Sequence, residues 1–214
     1  MLVDLHTHTS PASYDALQST EELALEARGL GIDALCLTEH DAFWDPAKLR
    51  ALSSRHRILL IPGCELNTDQ GHFLAFGLTE YIFGMHKLPF LRRIVNKAGG
   101  VLVAAHPYRR RRKAPLNGGP DQSLDRALRE ATFAHCDAME GLNGRGSLED
   151  NAFSEKLAKG LGLKTTGGSD SHQAGDLGTC ATRFENVIWG LDDLIRELKG
   201  GRFEALPLGK SRRS

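Results

Sequence analysis

Leu2-Val3-Asp4-Leu5-His6-Thr7-His8-Thr9-Ser10 is a short apolar run that closes on two histidines one residue apart. Residues two apart on an extended strand project to the same face, so His6 and His8 can hold one cation between them. A histidine pair alone is a weak signal, because solvated or hydrogen-bonded histidines also end strands. The reading is decided by recurrence. Thr38-Glu39-His40-Asp41 follows a second apolar run and Gly63-Cys64-Glu65-Leu66-Asn67 a third. Ala104-Ala105-His106-Pro107 follows a fifth run and Gly167-Gly168-Ser169-Asp170-Ser171-His172 a seventh, the last repeating the two-residue spacing with a carboxylate and an imidazole.

Working outward, the apolar runs at 2–5, 34–37, 58–61, 72–76, 101–105, 138–142 and, more weakly, 163–166 read as buried strands. Between them, 20–30, 45–53, 87–98, 123–131, 148–161 and 191–199 carry apolar residues at three- and four-residue spacing and read as helices. Thr20-Glu21-Glu22 has the form of a capped helix start, and Gly29 and Gly31 of its end. Strands alternating with helices predict a parallel sheet. Polar residues at the ends of so many runs meet at one mouth if the sheet closes, whereas an open sheet gathers only those at its switch point. The expected fold is therefore α/β, a distorted seven-stranded (β/α)7 barrel of TIM-like type. With no repeat or linker, one domain is expected over 1–207, followed by a polar tail over 208–214 whose last residues, from Gly209, should be disordered and dispensable.

Composition sets the outer bounds. An apolar fraction of 41% and a charged fraction of 25% suit a globular chain with a real core. Basic and acidic residues balance at 27 each, so no global charge draws the chain to nucleic acid or to an anionic membrane. No stretch approaches the ~20 apolar residues of a membrane span, and residues 1–6 lack the pattern of a signal peptide. Cys36, Cys64, Cys136 and Cys180 form no CxxC pair and read as reduced thiols of a cytoplasmic protein.

Taken in order, the His-x-His, Thr-Glu-His-Asp, Gly-x-Glu, Ala-His-Pro and Gly-Ser-Asp-x-His motifs resemble the PHP family, named for polymerase and histidinol phosphatase. The resemblance runs from His6 to His172 and extends loosely to Arg202. It implies the distorted barrel with two or three divalent ions, zinc, manganese or iron. It also implies a ligand set: His6 and His8 with Glu65 and Asp170 on a first ion, Glu65 bridging to a second completed by His72 and His106, and Asp15, His40 and His172 on a third. Asp15 departs from the family pattern, since Ala16 follows it where relatives usually have glycine. His56, His86 and His135 fall outside the pattern and read as structural or solvated.

Imidazole and carboxylate ligands suit those metals, and no thiolate is placed to compete. Bound divalent ions make hydroxide available near neutrality and neutralise charge on phosphoryl oxygens, so no protein nucleophile is required. None is signalled: the sequence has no Gly-x-Ser-x-Gly elbow and no Walker A loop, and Gly118-Gly119 and Gly167-Gly168 read as turns. The expected activity is hydrolysis of a small phosphorylated metabolite or nucleotide by a metal-activated water, with His6, His8, Glu65, Asp170 and His172 catalytic. Arg109, Asn143 and Arg145 are expected to bind the phosphate, and 109–122 to form a flap over the mouth. The proton donor to the leaving oxygen stays open, because His40 or His172 cannot both ligate a metal and freely donate. Glu39 and Asp41 beside His40, and Asp4 two before His6, are candidate orienters. Trp44 either stacks on a base or packs. Rival readings are a phosphodiesterase or exonuclease-like hydrolase, favoured only by the basic run 109–113, an amide or lactone hydrolase, and a non-catalytic metal-binding module.

Overall fold

The computed structural model describes residues 1–111 and 123–209. Most of the expected flap, with Arg112 and Lys113 of the basic run and Gly118-Gly119, lies outside those residues, as does the tail from Lys210.

The expected closed barrel does not form. Among the described residues, ten strands divide into two five-stranded sheets of mixed direction. The first runs β10 (Phe203–Pro207), β9 (Cys180–Phe184), β1 (Leu2–Thr7), β2 (Ala34–Leu37) and β3 (Leu59–Pro62). The second runs β4 (Cys64–Thr68), β5 (Gly71–Phe76), β6 (Val101–Ala104), β7 (Ala138–Asn143) and β8 (Thr165–Gly168). Only β1–β2–β3 and β6–β7–β8 are parallel. Two features of the chain break the expected barrel. Asp69 and Gln70 form a two-residue turn between β4 and β5, with the Thr68 hydroxyl donating to Gly71 O at 2.7 Å and Gly71 at φ 129°, so the chain reverses where a parallel barrel needs a crossover. At the other end, β9 and β10 pair antiparallel along the outer edge of β1. A third departure is that Gly167 and Gly168 are strand residues, not a turn.

Six helices follow the predicted periodicity with small shifts at their ends, α1 (Thr20–Gly29), α2 (Pro46–His56), α3 (Leu88–Lys97), the short α5 (Ser123–Leu128), α6 (Leu148–Leu161) and α7 (Leu191–Gly200), while the short α4 (Tyr108–Arg111) forms at the start of the expected flap, where no helix was predicted. Ser19 caps α1 and Ser147 caps α6, each in a reciprocal box with the acidic residue three positions on. Strand alternation then distributes the core over three layers. Leu74, Phe76, Val101 and Val103 face Val3, Leu5 and Ile61 between the sheets, with Leu194 and Leu198 of α7 closing that layer. Phe73, Ala75, Leu102 and Ala104, on the opposite face of the second sheet, pack under α3 and α6. Leu35, Leu37 and Leu60 face α1 and α2 on the outside of the first sheet. No helix of the described residues is long and apolar enough to cross a membrane, and all four cysteines are free thiols.

The sheets meet along a seam. Gly63 alone joins β3 to β4, single bridges link His40 to Glu65 and Thr7 to Ser171, and Asp170 N donates to His6 O at 2.8 Å. The close approach of β8 depends on its glycines: a Cβ on Gly168 would stand 2.5 Å from His6 Cβ, and one on Gly167 2.5 Å from Ala181 O. Gly29, at the end of α1, faces open space. Gly167→Ala is therefore expected to destabilise the fold by about 1–3 kcal/mol through overpacking against backbone, while Gly29→Ala stabilises by about 0.4–1 kcal/mol. Urea unfolding of the two variants beside the parent checks the opposite signs.

Candidate metal centre

His6 stands near the end of β1 and His8 just past it, and a bulge shapes the strand there: Asp4 pairs with Leu35 and Thr7 with Leu37, leaving one extra residue in β1. A second bulge lies in β7 between Glu140 and Leu142. Bulges of this kind re-aim side chains beside functional sites. His40 and His106 follow β2 and β6, Glu65 and His72 lie on the paired β4 and β5, and Asp170 and His172 follow β8. Two of these residues have left-handed backbone, His106 at φ 26° and Asp170 at φ 54°. Such positions cost roughly 1–3 kcal/mol each unless their surroundings hold them. Here Glu140 Oε2 accepts from His106 N at 2.7 Å, and His6 O accepts from Asp170 N at 2.8 Å.

All nine sequence-derived candidates converge. Glu65 Oε2 lies 3.3 Å from His6 Nε2, 3.3 Å from His8 Nε2 and 3.1 Å from His40 Nδ1. Its other oxygen, Oε1, is 2.8 Å from both His72 Nδ1 and His106 Nε2. Asp170 Oδ1 is 3.6 Å from His6 Nε2 and 3.5 Å from His8 Nε2. Asp15 Oδ2 sits between His40 Nε2 at 3.4 Å and His172 Nε2 at 3.3 Å, and the His8 ring lies 4.3 Å from both the His40 and His172 rings. The tightest donor groups are His6/His8/Asp170, His6/Glu65/His106 and His8/His40/His172. His56, His86 and His135 have no place in any of them.

Four buried atoms at the centre have no hydrogen-bond partner: His6 Nε2, His8 Nε2, Glu65 Oε2 and Asp170 Oδ1. An unpaired buried polar atom costs about 1–3 kcal/mol, yet two nitrogens and two oxygens face one another across 3.3–3.6 Å. A divalent cation satisfies all four at once, and the donor set is the nitrogen–oxygen mixture that zinc, manganese or iron accepts. The residues present fit such an ion. Without one, the cluster is electrostatically tense. Burial alone would depress the His6 pKa, but Glu140, Asp170 and Glu65 outweigh it and hold it well above the usual imidazole value. Burial likewise opposes ionisation of Glu65 and Asp170, but His6 above all holds both carboxyls well below their ordinary range. Burial depresses His106 and His172.

The residues beside the imidazoles match those the sequence suggested only in part. Glu140 Oε1 lies 2.9 Å from the Nδ1 edge of His6, and this residue was not among the expected orienters. Asp4 accepts from the backbone N of His6 and of Ser169, so it braces main chain; burial lifts its pKa to about 7. Asp41 accepts from Asn67 N and touches no imidazole. Trp44 packs beneath α1 and α2 and donates its indole N–H to Glu39 at 3.0 Å. Ser13, which carried no sequence signal, lies 3.2 Å from His8 Nδ1.

A cleft of about 450 Å³ opens over the cluster, edged by Arg109 and Arg145 with Tyr14, Tyr108, His40 and His172. Arg109 Nη2 reaches Asp170 Oδ2 at 2.5 Å. Arg145 is exposed at the rim. Asn143 is buried beneath, its amide donating to Glu140 Oε2 at 2.9 Å and Asp170 Oδ2 at 3.2 Å and its oxygen accepting from Tyr108 and from Arg145 N. Arg110 and Arg111 turn away to the β4–β5 turn, and Arg111 pairs with Glu130 at 2.7 Å.

A family model described as PHP domain matches residues 4–170, and one described as PHP-associated matches residues 149–203. An uncharacterized protein of Methanocaldococcus jannaschii is 28% identical over 202 residues, 91% of this chain and 75% of that protein. A "probable phosphatase" of Thermoanaerobacter sp. (strain X514) is 25% identical over 221 residues, 88% of this chain and 84% of its own. Among solved structures, a two-domain Bacteroides vulgatus protein containing a "predicted PHP-like metal-dependent phosphoesterase" superposes with TM-score 0.69 at 21% identity, covering 97% of this chain and 65% of that one.

Two outcomes follow from this geometry. Glu140→Gln should weaken zinc or manganese binding about 10–100-fold, the usual effect of losing an imidazole's partner, as read by titration against a chromophoric chelator. His6→Ala combined with His8→Ala should lose one bound ion by elemental analysis and orders of magnitude in turnover while the fold survives; parental activity in the double variant would remove His6 and His8 from the site.

Proposed function

Because this chain belongs to the PHP family, we propose that it is a metal-dependent phosphoesterase acting on a small phosphorylated metabolite or nucleotide. The observation that carries the reading is the quartet of unpartnered buried atoms on His6, His8, Glu65 and Asp170 beneath a cleft edged by two arginines. In this proposal the quartet holds a first ion, Glu65 with His72 and His106 a second, and Asp15, His40 and His172 a third. Divalent ions bound there supply a water of lowered pKa and neutralise charge developing on phosphoryl oxygens.

The chain's own residues do the rest. Arg145 and Arg109 present guanidinium groups to a phosphate dianion entering the cleft, the first from the rim and the second from beside His106. Asn143 holds Glu140 and Asp170 in place from below, so its part is positioning. A cleft of about 450 Å³ has room for a small ester. Of the arginine run, Arg110 and Arg111 are engaged with the β4–β5 turn and do not line the cleft, which supports a compact substrate over a long diester strand.

Dialysis against a chelator should abolish release of inorganic phosphate, and added manganese should restore it. A panel of phosphorylated metabolites and nucleotides, together with p-nitrophenyl phosphate and its bis-ester, tests the class: turnover of the monoesters is expected, and turnover of the bis-ester alone would sink the phosphomonoesterase reading. Arg145→Ala should raise KM for the monoester about tenfold or more, as expected for loss of a charged hydrogen bond of about 1.5–3 kcal/mol, with kcat little changed. An unaltered KM would place Arg145 outside the phosphate site.

A further inference from the structure

Glu39 is fully buried, and its carboxylate collects four donors. Thr9 gives its backbone N–H at 2.9 Å and its hydroxyl at 2.5 Å, Trp44 its indole N–H at 3.0 Å and Ser13 its hydroxyl at 2.5 Å. Two of these donors, the Thr9 amide and the indole, can only donate, and a further hydroxyl, that of Thr20, points at Thr9 Oγ1 from 3.3 Å. Glu39 is thus arranged as a pure acceptor, the role of an ionised carboxylate.

That arrangement settles the proton on Ser13. A hydroxyl has one hydrogen to give and two lone pairs with which to accept. The Ser13 hydrogen goes to Glu39 Oε2. Its oxygen has two further neighbours, the backbone N–H of His40 at 3.2 Å and His8 Nδ1, also at 3.2 Å. With its hydrogen spent on Glu39, Ser13 can meet His8 only as an acceptor. His8 must then carry its hydrogen on Nδ1. In the neutral imidazole the lone pair then lies on Nε2, the unpartnered atom 3.3 Å from Glu65 Oε2 and 3.5 Å from Asp170 Oδ1.

We propose that Glu39 is a positioning residue for His8, acting through the Ser13 hydroxyl to hold the Nδ1–H tautomer that leaves Nε2 free to bind a metal ion. Although Glu39 is the sequence neighbour of His40, it accepts no hydrogen bond from that imidazole and works on the His-x-His pair instead. The inference rests on the metal-centre reading in one respect, that Nε2 is the ligating atom; the tautomer itself is independent of any ion.

The isosteric variant Glu39→Gln tests the relay because it reverses the polarity. A carboxamide that turns its NH2 toward Ser13 becomes a donor there, so the Ser13 hydroxyl swings its hydrogen toward His8 Nδ1 and the imidazole proton moves to Nε2. Long-range proton–nitrogen NMR spectra of metal-free, 15N-labelled protein at alkaline pH read the tautomer directly, with His8 identified by the signals lost in His8→Gln. The parent and Ser13→Thr should show the Nδ1–H form, Glu39→Gln a shift toward Nε2–H, and Ser13→Ala a mixture. Zinc affinity should fall about 10–100-fold in Glu39→Gln and Ser13→Ala and be retained in Ser13→Thr. Folded Glu39→Gln and Ser13→Ala proteins with the parental tautomer and parental zinc affinity would overturn the proposal. Should Glu39→Gln fail to fold, Ser13→Ala against Ser13→Thr decides it. A parent that takes up no zinc would defeat the metal-centre reading, and the tautomer spectra alone would then decide the relay.

Discussion

Five imidazoles surround one buried carboxylate. Glu65 is 1% exposed and has His6, His8 and His40 on one oxygen and His72 and His106 on the other. Buried ionisable groups are tolerated only when their charge is matched and their polar atoms are paired. The neighbouring charges do part of that work: His6 above all holds the Glu65 and Asp170 carboxyls well below their ordinary range, and Glu140, Asp170 and Glu65 hold His6 well above the usual imidazole value. Even so, four atoms at the centre, His6 Nε2, His8 Nε2, Glu65 Oε2 and Asp170 Oδ1, have no hydrogen-bond partner. A cation held by these four atoms would lower the desolvation penalty of the quartet, and its binding would then be coupled to folding.

The sheet arrangement is what makes the convergence possible. Each sheet contributes candidate ligands from strands whose ends open on the seam, and bonds between backbones, together with side-chain bonds such as His6 to Glu140, hold the seam at close quarters. His40 bridges to Glu65, Thr7 to Ser171, and Asp170 N to His6 O. Gly168 allows β8 to lie against His6 with no side chain between them. The left-handed backbone at His106 and Asp170 belongs to the same constraint, since both residues turn out of a strand toward the shared centre.

Much of this was legible in the sequence, and the failures share a cause. Helical periodicity is a local signal, and the 148–161 helix has the bounds it predicts; the nine candidate ligands, which came from the family resemblance and not from spacing alone, stand within contact of one another. The barrel was wrong because strand direction is not local. Cys64–Thr68 was taken as the end of a run when it is a strand of its own, reversed by the Asp69-Gln70 turn. Cys180–Phe184 and Phe203–Pro207 were not read as strands: Arg183 and Glu204 are exposed, and both segments are recruited by pairing with β1 and with each other. Gly167-Gly168 was read as a turn because two glycines usually mark one, whereas here they clear space for β9 and for His6. The orienting residues were hidden for a similar reason. Glu140 is 134 residues from His6, and Ser13 lies in a loop with no pattern to announce it.

The two histidines of the opening motif are alike in sequence but not in setting. His6 gives its Nδ1 edge to a carboxylate, Glu140, which accepts in turn from His106 N and the Asn143 amide. His8 gives its Nδ1 edge to a hydroxyl, with the carboxylate of Glu39 one bond further away. A carboxylate in direct contact raises the basicity of the opposite nitrogen more than a neutral hydroxyl does. Two candidate ligands at one strand end, two residues apart, would thereby have unequal donor strength, set by partners drawn from distant parts of the chain. His6 is tied to the second sheet through Glu140, and His8 to the first through Glu39 and Trp44. The seam between the sheets thus sets where the donors stand, and the sheets on either side of it set what kind of donor each becomes.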